Sequence, residues 1–272
     1  MLSLDRILVP VDFSPRSEGA ARYAAVIAGH FHSSITLLHA LPVPHYELGA
    51  GLLGDLFPER ERSAREALLK FARAQLGSIH PQLVVAKGDP GARIVEQAHQ
   101  DGGLIVMPTH GLNPIRRLLL GSTAAHVLRY AHCAVCTGVH LDNAPPQPKF
   151  ENVVCAVDAG PGSEAVVEWA ARFSRTSQAR LFIVHAVIAP EHDEEEESLD
   201  GTAADFLREL QSKLNTHATA IVAGGPDAAK TIGRQLRALS ADLLVIGRGD
   251  FSRLRTTSDG LIHESICPVV SV

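Results

Sequence analysis

The sequence predicts an α/β protein made of two tandem doubly wound domains, each with a five-stranded parallel sheet flanked by helices. Three observations carry this expectation. Strand-length apolar runs alternate with amphipathic helical stretches, the pattern of parallel strands joined by crossover helices. The pattern occurs twice: RILVPVD at Arg6–Asp12 is matched by NVVCAVD at Asn152–Asp158, with Asp12 and Asp158 standing 146 positions apart. Between the copies lies LDNAPPQPKFE, Leu141–Glu151, rich in proline and polar residues and without an apolar period, as expected of a linker.

In chain order, the first strand is read at Arg6–Val11, a continuous apolar run suited to a sheet covered on both faces. A helix follows over Pro15–His30, where Ser14 can cap and Pro15 suits a first position that needs no amide partner. The next strand is Ser34–Ala40, then a helix over Glu59–Leu76 and a weaker strand at Gln82–Ala86. A helix over Ala92–Gln100, a strand at Leu104–Met107, a helix over Ser122–Ala131 and a last strand at Ala134–Val139 complete the copy. The 146-residue shift also carries Ser17-Glu18 onto Ser163-Glu164, Ala24-Ala25 onto Ala170-Ala171 and His39-Ala40 onto His185-Ala186. It falls to 139 at Val106 and Val245 and to 134 at Cys133 and Cys267, so the second copy is shorter between shared elements. A period this long indicates duplicated domains, 1–140 and 151–272, rather than a solenoid.

Composition narrows the function. The 272 residues are 46% hydrophobic, enough for real cores, and 25 Lys and Arg against 30 Asp and Glu leave no basic excess for nucleic acid. No apolar run approaches the roughly 20 residues that span a bilayer. The N-terminal stretch MLSLDRILVPVDFS lacks a signal-peptide pattern, which makes the cytoplasm the expected location. Cys133 and Cys136 form a C-x-x-C, but within HCAVCTGV, which reads as a buried strand, and core cysteines are favoured over a redox pair. The 14 histidines show no zinc spacing, and no metal site is expected.

Three segments converge where the strands end: VPVDFS, LHA and MPTHG. A phosphate bound there would meet loop amides and the amino end of the helix beginning near Ser122, where unpaired N–H groups and the dipole favour an anion. Gly111 and Gly121 suit such a cradle by allowing positive φ and close backbone approach. With VPVDFS at Val9–Ser14, GDP at Gly88–Pro90 and PTHG-x9-GS from Pro108 to Ser122, the chain resembles the universal stress protein family, and VCAVD, VHA and VIGRG extend the resemblance through the second copy. The resemblance implies a tandem member with an adenine nucleotide alpha hydrolase-like, Rossmann-like fold that binds ATP or a related adenine nucleotide, with Mg2+ accompanying it. It implies Pro10, Val11 and Asp12 near the base and backbone contacts from Ala40. It further implies Met107 and Pro108 near the ribose, with Gly111, Gly121, Ser122 and Thr123 on the phosphates. Pro108 departs from the motif, which begins with glycine, and has no N–H. In the second copy Gly247, Gly249 and Gly260 remain while Leu261 stands in place of the Ser or Thr hydroxyl, so that loop reads as degenerate.

Several residues also have plainer readings. Asp12 and Asp158 can each bond the next turn, His39 and His185 read as packed strand-end histidines, and His110, Arg116 and Arg117 are either anion contacts or exposed loop residues. The acidic run EHDEEEE at Glu191–Glu197 reads as a solvated loop. The function expected is a stress-response binding module that signals through its conformation or partners, with no catalytic residue assigned. The alternatives are a slow ATP hydrolase and a nucleotide-free scaffold; no Gly-x4-Gly-Lys-Ser/Thr stretch supports the first, and Pro108 supports the second. The partners implied are an adenine nucleotide and an unidentified protein, with the two halves as an intramolecular pseudo-dimer and a homodimer allowed. Nucleic acid and membrane are not expected.

Overall fold

The computed structural model describes residues 4–42, 50–109, 120–138, 141, 148–188, 196–248 and 257–272, with backbone alone for 50–56, 196–200 and 257–259. His110, Gly111, Arg116, Arg117, Gly249, most of the linker and most of the acidic run lie outside the described residues. The chain divides into two compact units, Met1–Val135 with Leu141–Gln147, and Cys136–His140 with Pro148–Val272.

The first half runs β1 (Arg6–Pro10), α1 (Pro15–Phe31), β2 (Ser34–Leu41), α2 (Ala50–Gln75), β3 (Gln82–Lys87), α3 (Pro90–Asp101), β4 (Leu104–Val106), α4 (Ser122–Tyr130) and β5 (Ala134–Thr137). Its strands lie in the order β3-β2-β1-β4-β5. β1 pairs in parallel with both β2 and β4, Ile7 lying beside Ile35 and Leu104, and β2 pairs in parallel with β3. Ile7, Leu8, Val9, Leu37, Leu104, Ile105 and Val106 are buried, because helices cover the sheet on both faces and leave no solvent side for a polar alternation. The strand order reverses at β1, which opens a crevice at the carboxyl ends of β1 and β4.

Local chemistry sets the helix ends. Ser14 Oγ accepts the Ser17 amide at 3.2 Å and Pro15 opens α1, as the sequence suggests. Asp89 caps α3 by accepting the Ala92 amide at 2.9 Å, which starts that helix at Pro90 rather than at the expected Ala92. α2 begins at Ala50, well before the expected Glu59, and contains Pro58. A proline reads as a boundary, yet here the helix continues through it with the loss of one backbone bond.

The second half repeats the plan with β6 (Asn152–Val157), α5 (Ser163–Ser177), β7 (Arg180–Ile188), α6 (Glu196–Lys213), β8 (Thr219–Gly225), α7 (Ala228–Ala238), β9 (Leu243–Ile246), α8 (Thr257–Glu264) and β10 (Val269–Ser271). The order is β10-β9-β6-β7-β8, and each of these neighbouring pairs is parallel. Its core includes Trp169 stacked on Phe173 with ring centroids 5.3 Å apart, and Phe150 meets Phe173 edge-on at 5.0 Å. All four cysteines are unbridged and buried. Burial pushes the Cys136 and Cys155 thiols well up and Cys267 to about 12, the reverse of what a redox C-x-x-C needs. Among the described residues no helix is long and apolar enough to cross a membrane.

Candidate functional site

Beyond β1 the chain stays paired for one more residue, with the Val11 amide donating to the Leu38 carbonyl at 2.8 Å. It then turns through Phe13, whose φ of 62° is uncommon for a residue with a side chain. Asp12 holds this turn: its Oδ1 accepts the Ser14 amide at 3.0 Å and the Ser14 hydroxyl at 2.5 Å. The plainer reading of Asp12, a bond to the next turn, is therefore realised. His39 Nδ1 lies 2.7 Å from the Val11 carbonyl. A carbonyl only accepts, so Nδ1 carries the hydrogen in this bond. Phe13 packs against this imidazole at 4.6 Å, and Phe71 meets Phe13 edge-on.

A cavity of about 350 Å³ opens at the carboxyl ends of β1, β2 and β4. Pro10, Val11 and Asp12 form one wall, and Ala40 enters beside Leu38 and His39 from β2. Met107 and Pro108, both buried, close it after β4, and Gly121, Ser122 and Thr123 bring the start of α4 to its rim. The structure thus assembles the expected contact residues around one space, apart from Gly111, which lies outside the described residues. It adds Pro90 and Ile94 from α3, Thr109 after Pro108, and Ala124 in the first turn of α4. The GDP motif signals Pro90, and helical spacing places Ile94 four residues on; nothing local signals Thr109.

Gly121 corrects the sequence reading. Its φ is −61° and its ψ 150°, an ordinary extended N-cap conformation, so positive φ is not what glycine supplies here. Its amide is also engaged, donating to the Thr109 carbonyl at 2.9 Å. What remains is the first turn of α4, whose N–H groups have no intrahelical acceptor. Side chains cap α1, α3 and α7 through Ser14, Asp89 and Asp227, but α4 has no side-chain cap bond. An anion beside Ser122, Thr123 and Ala124 would satisfy these amides and meet the positive end of the helix dipole.

The second half keeps part of this design. Asp158 Oδ1 accepts the Gly160 amide at 2.9 Å, Ala159 takes φ 59°, and His185 Nδ1 lies 2.8 Å from the Val157 carbonyl. Gly260 and Leu261, however, do not stand at the helix entrance: they are the fourth and fifth residues of α8. The closing bond of α8, Ser265 amide to Leu261 carbonyl, corresponds to the Ala131 amide to Val127 carbonyl bond that ends α4. Leu261 is thus the counterpart of Val127, and both are buried core residues. The same register sets Gly260 opposite Ala229 of α7, where an added Cβ would lie 3.2 Å from the alanine methyl; in the first half His126 faces Gly91, where a Cβ would lie 2.9 Å from the ring. Leu261 therefore does not replace a phosphate-binding hydroxyl. The positions that align with Ser122 and Thr123 are Thr256, outside the described residues, and Thr257, the first residue of α8.

The model of the universal stress protein family matches residues 3–137 and 149–272. A universal stress protein of Methanocaldococcus jannaschii is 34% identical over 136 residues, covering 48% of this chain and 79% of that protein. One from Mycolicibacterium smegmatis is 28% identical over 221 residues, 76% of this chain and 75% of its own length. Among solved structures, a universal stress protein from Archaeoglobus fulgidus superimposes with a TM-score of 0.75 at 20% identity, covering 99% of this chain and 98% of that one; this likeness is one of fold.

Proposed function

This chain belongs to the universal stress protein family, whose members are stress-response proteins, and from that premise we propose that its first half binds an adenine nucleotide and that the protein acts as a regulatory or signalling module. The observation that supports this most is the uncapped first turn of α4 at the rim of a 350 Å³ cavity. That volume suits a nucleoside-sized ligand. In this reading Pro10 and Val11 contact the base and Ala40 offers its backbone to the base edge, while Met107 and Pro108 wall the ribose. The amides of Ser122, Thr123 and Ala124 and the two hydroxyls hold phosphate; Gly121 positions the turn without donating to the ligand.

Binding is favoured over hydrolysis. Asp12 is the one carboxylate among the described lining residues, and its Oδ1 is committed to the turn. Hydrolysis needs a residue that positions water at the terminal phosphate. Mg2+ in this reading arrives with the phosphates, since it commonly binds through substrate phosphates and one or two carboxylates. Calorimetric titration of the full chain with ATP, ADP and AMP, with and without Mg2+, tests the proposal. Saturable binding with adenine nucleotides displacing one another is expected. An absence of heat and of retained nucleotide in gently purified protein would leave the scaffold reading in its place.

A further inference from the structure

We propose that the second half carries a separate ligand site, at the amino ends of its strands, for a small molecule with an apolar body and one anionic group. A cavity of about 360 Å³ lies there, between the carboxyl ends of α5 and α6 and the starts of β7 and β8. Ala171, Leu181, Phe182, Leu214 and Ala218 give it apolar walls. Arg175, Arg180 and His217 also line it, and no acidic residue does among the described residues. Both arginines and the histidine are exposed, and none has an ion pair among the described residues. The nearby acids have other partners: Glu151 faces Lys149 and Glu164 is bonded to Lys213. One wall residue, Ser174, is buried and its hydroxyl has no partner among the described residues.

The helix ends do not oppose an anion here. Helix carboxyl ends carry partial negative charge, but carbonyls in the last turns of α5 and α6 and one before β8 already accept hydrogen bonds. Ser174 O accepts the Ala179 amide at 2.9 Å, Gln211 O the Thr216 amide at 3.1 Å, and Ala218 O the Gln211 side chain at 2.6 Å. The two guanidinium charges exceed the roughly half-charges of the two dipole ends together. Arginine is also well suited to holding a carboxylate through two hydrogen bonds.

The duplication supplies an internal control. By the 146-residue shift the first half has Ala28, Gly29 and Ser34 where the second has Ser174, Arg175 and Arg180. The sheet registers, which pair Thr36 with Gln82 and Phe182 with Thr219, set His80 opposite His217. The fold needs neither arginine, since the first half builds the same strand start without them. The two arginines thus belong to the second half by sequence and not by architecture.

The test uses the full chain and two probes of the same shape, 2-naphthoate and the neutral 2-naphthamide. One saturable naphthoate site per chain is expected, with shifts of backbone amide resonances at 179–182 and 215–219 and affinity at least tenfold below this for the amide. Raising salt should weaken naphthoate binding, and the Arg175→Gln/Arg180→Gln variant should weaken it at least tenfold with an unchanged circular dichroism spectrum. Because none of these residues lines the first-half cavity, adenine nucleotide titration should be the same in parent and variant. Equal binding of acid and amide, an absence of saturation, or an unchanged affinity in the variant overturns the proposal.

Discussion

The two halves reach the same backbone by different side chains. In the first, Asp12 and Ser14 bond each other and Ser14 caps α1; in the second, Asp158 takes the Gly160 amide and the N-cap Gly162 gives no side-chain bond. Yet Phe13 and Ala159 share left-handed φ values of 62° and 59°, and His39 and His185 hold the corresponding carbonyls of Val11 and Val157 at 2.7 and 2.8 Å. The α3–α4 and α7–α8 contacts exchange sizes in the same way, glycine facing histidine in one and alanine facing glycine in the other. What persists is the path of the chain and the space between elements. Individual side chains change provided their partner across the contact changes too.

The largest effect should come from the position just before β4 and β9. Gly103 has φ 93°, and a Cβ there would lie 2.1 Å from the Arg6 carbonyl oxygen, whereas the second half has Asp242, whose carboxylate accepts the Glu151 and Asn152 amides at 2.8 and 2.9 Å. Gly103→Ala should cost about 3 kcal/mol or more, and Asp242→Ala about 1–3 kcal/mol through two unpaired amides. Urea unfolding checks both. If the alanine at position 103 is tolerated, the two strand starts are more alike than their residues indicate.

Next in size is the α4 entrance. Gly121 has an extended backbone that valine can adopt, so Gly121→Val should fold while its branched side chain covers the first-turn amides. Nucleotide affinity should fall by about 1.5–3 kcal/mol, the size of a hydrogen bond to a charged group. Titration calorimetry beside circular dichroism reads this out, and a well-folded variant that binds like the parent would make the α4 entrance an ordinary loop-to-helix connection. Ser122→Ala removes one hydroxyl donor and should lose roughly 0.5–1.5 kcal/mol. Comparing it with Thr256→Ala, at the aligned position, sharpens the contrast between halves: no change from the second substitution assigns binding to the first half, and equal losses assign it to both.

The smallest expected change is a gain. Pro108→Gly restores an amide where the family motif has glycine, and should tighten nucleotide binding by about 0.5–1 kcal/mol, one neutral hydrogen bond less the added chain freedom. The second half already has Gly247 at the corresponding end of β9, where a Cβ would lie 3.2 Å from Val166. Unchanged affinity would show that Pro108 acts only as a wall of the cavity.

The sequence by itself determined the alternation of strands and helices, the duplication and the carboxyl-edge location of the candidate site. Each of these depends on short-range regularities: apolar runs of strand length, capping residues such as Ser14, and segments that recur at a constant shift. It could not determine the length of α2, because Pro58 is a local stop signal that the packed helix overrides. Nor could it place Gly260 and Leu261, since a Gly-Leu pair after a glycine-containing loop looks the same at a helix entrance and one turn inside. Only the tertiary structure decided that register, because Leu261 has to fill the buried position that Val127 fills in the first half, and Gly260 has to lie against Ala229. It also decided the role of Gly121, whose amide is bonded to a Thr109 carbonyl twelve residues earlier. Backbone hydrogen bonds between segments leave no trace in composition or periodicity, because every residue but proline carries the same donor and every residue the same acceptor.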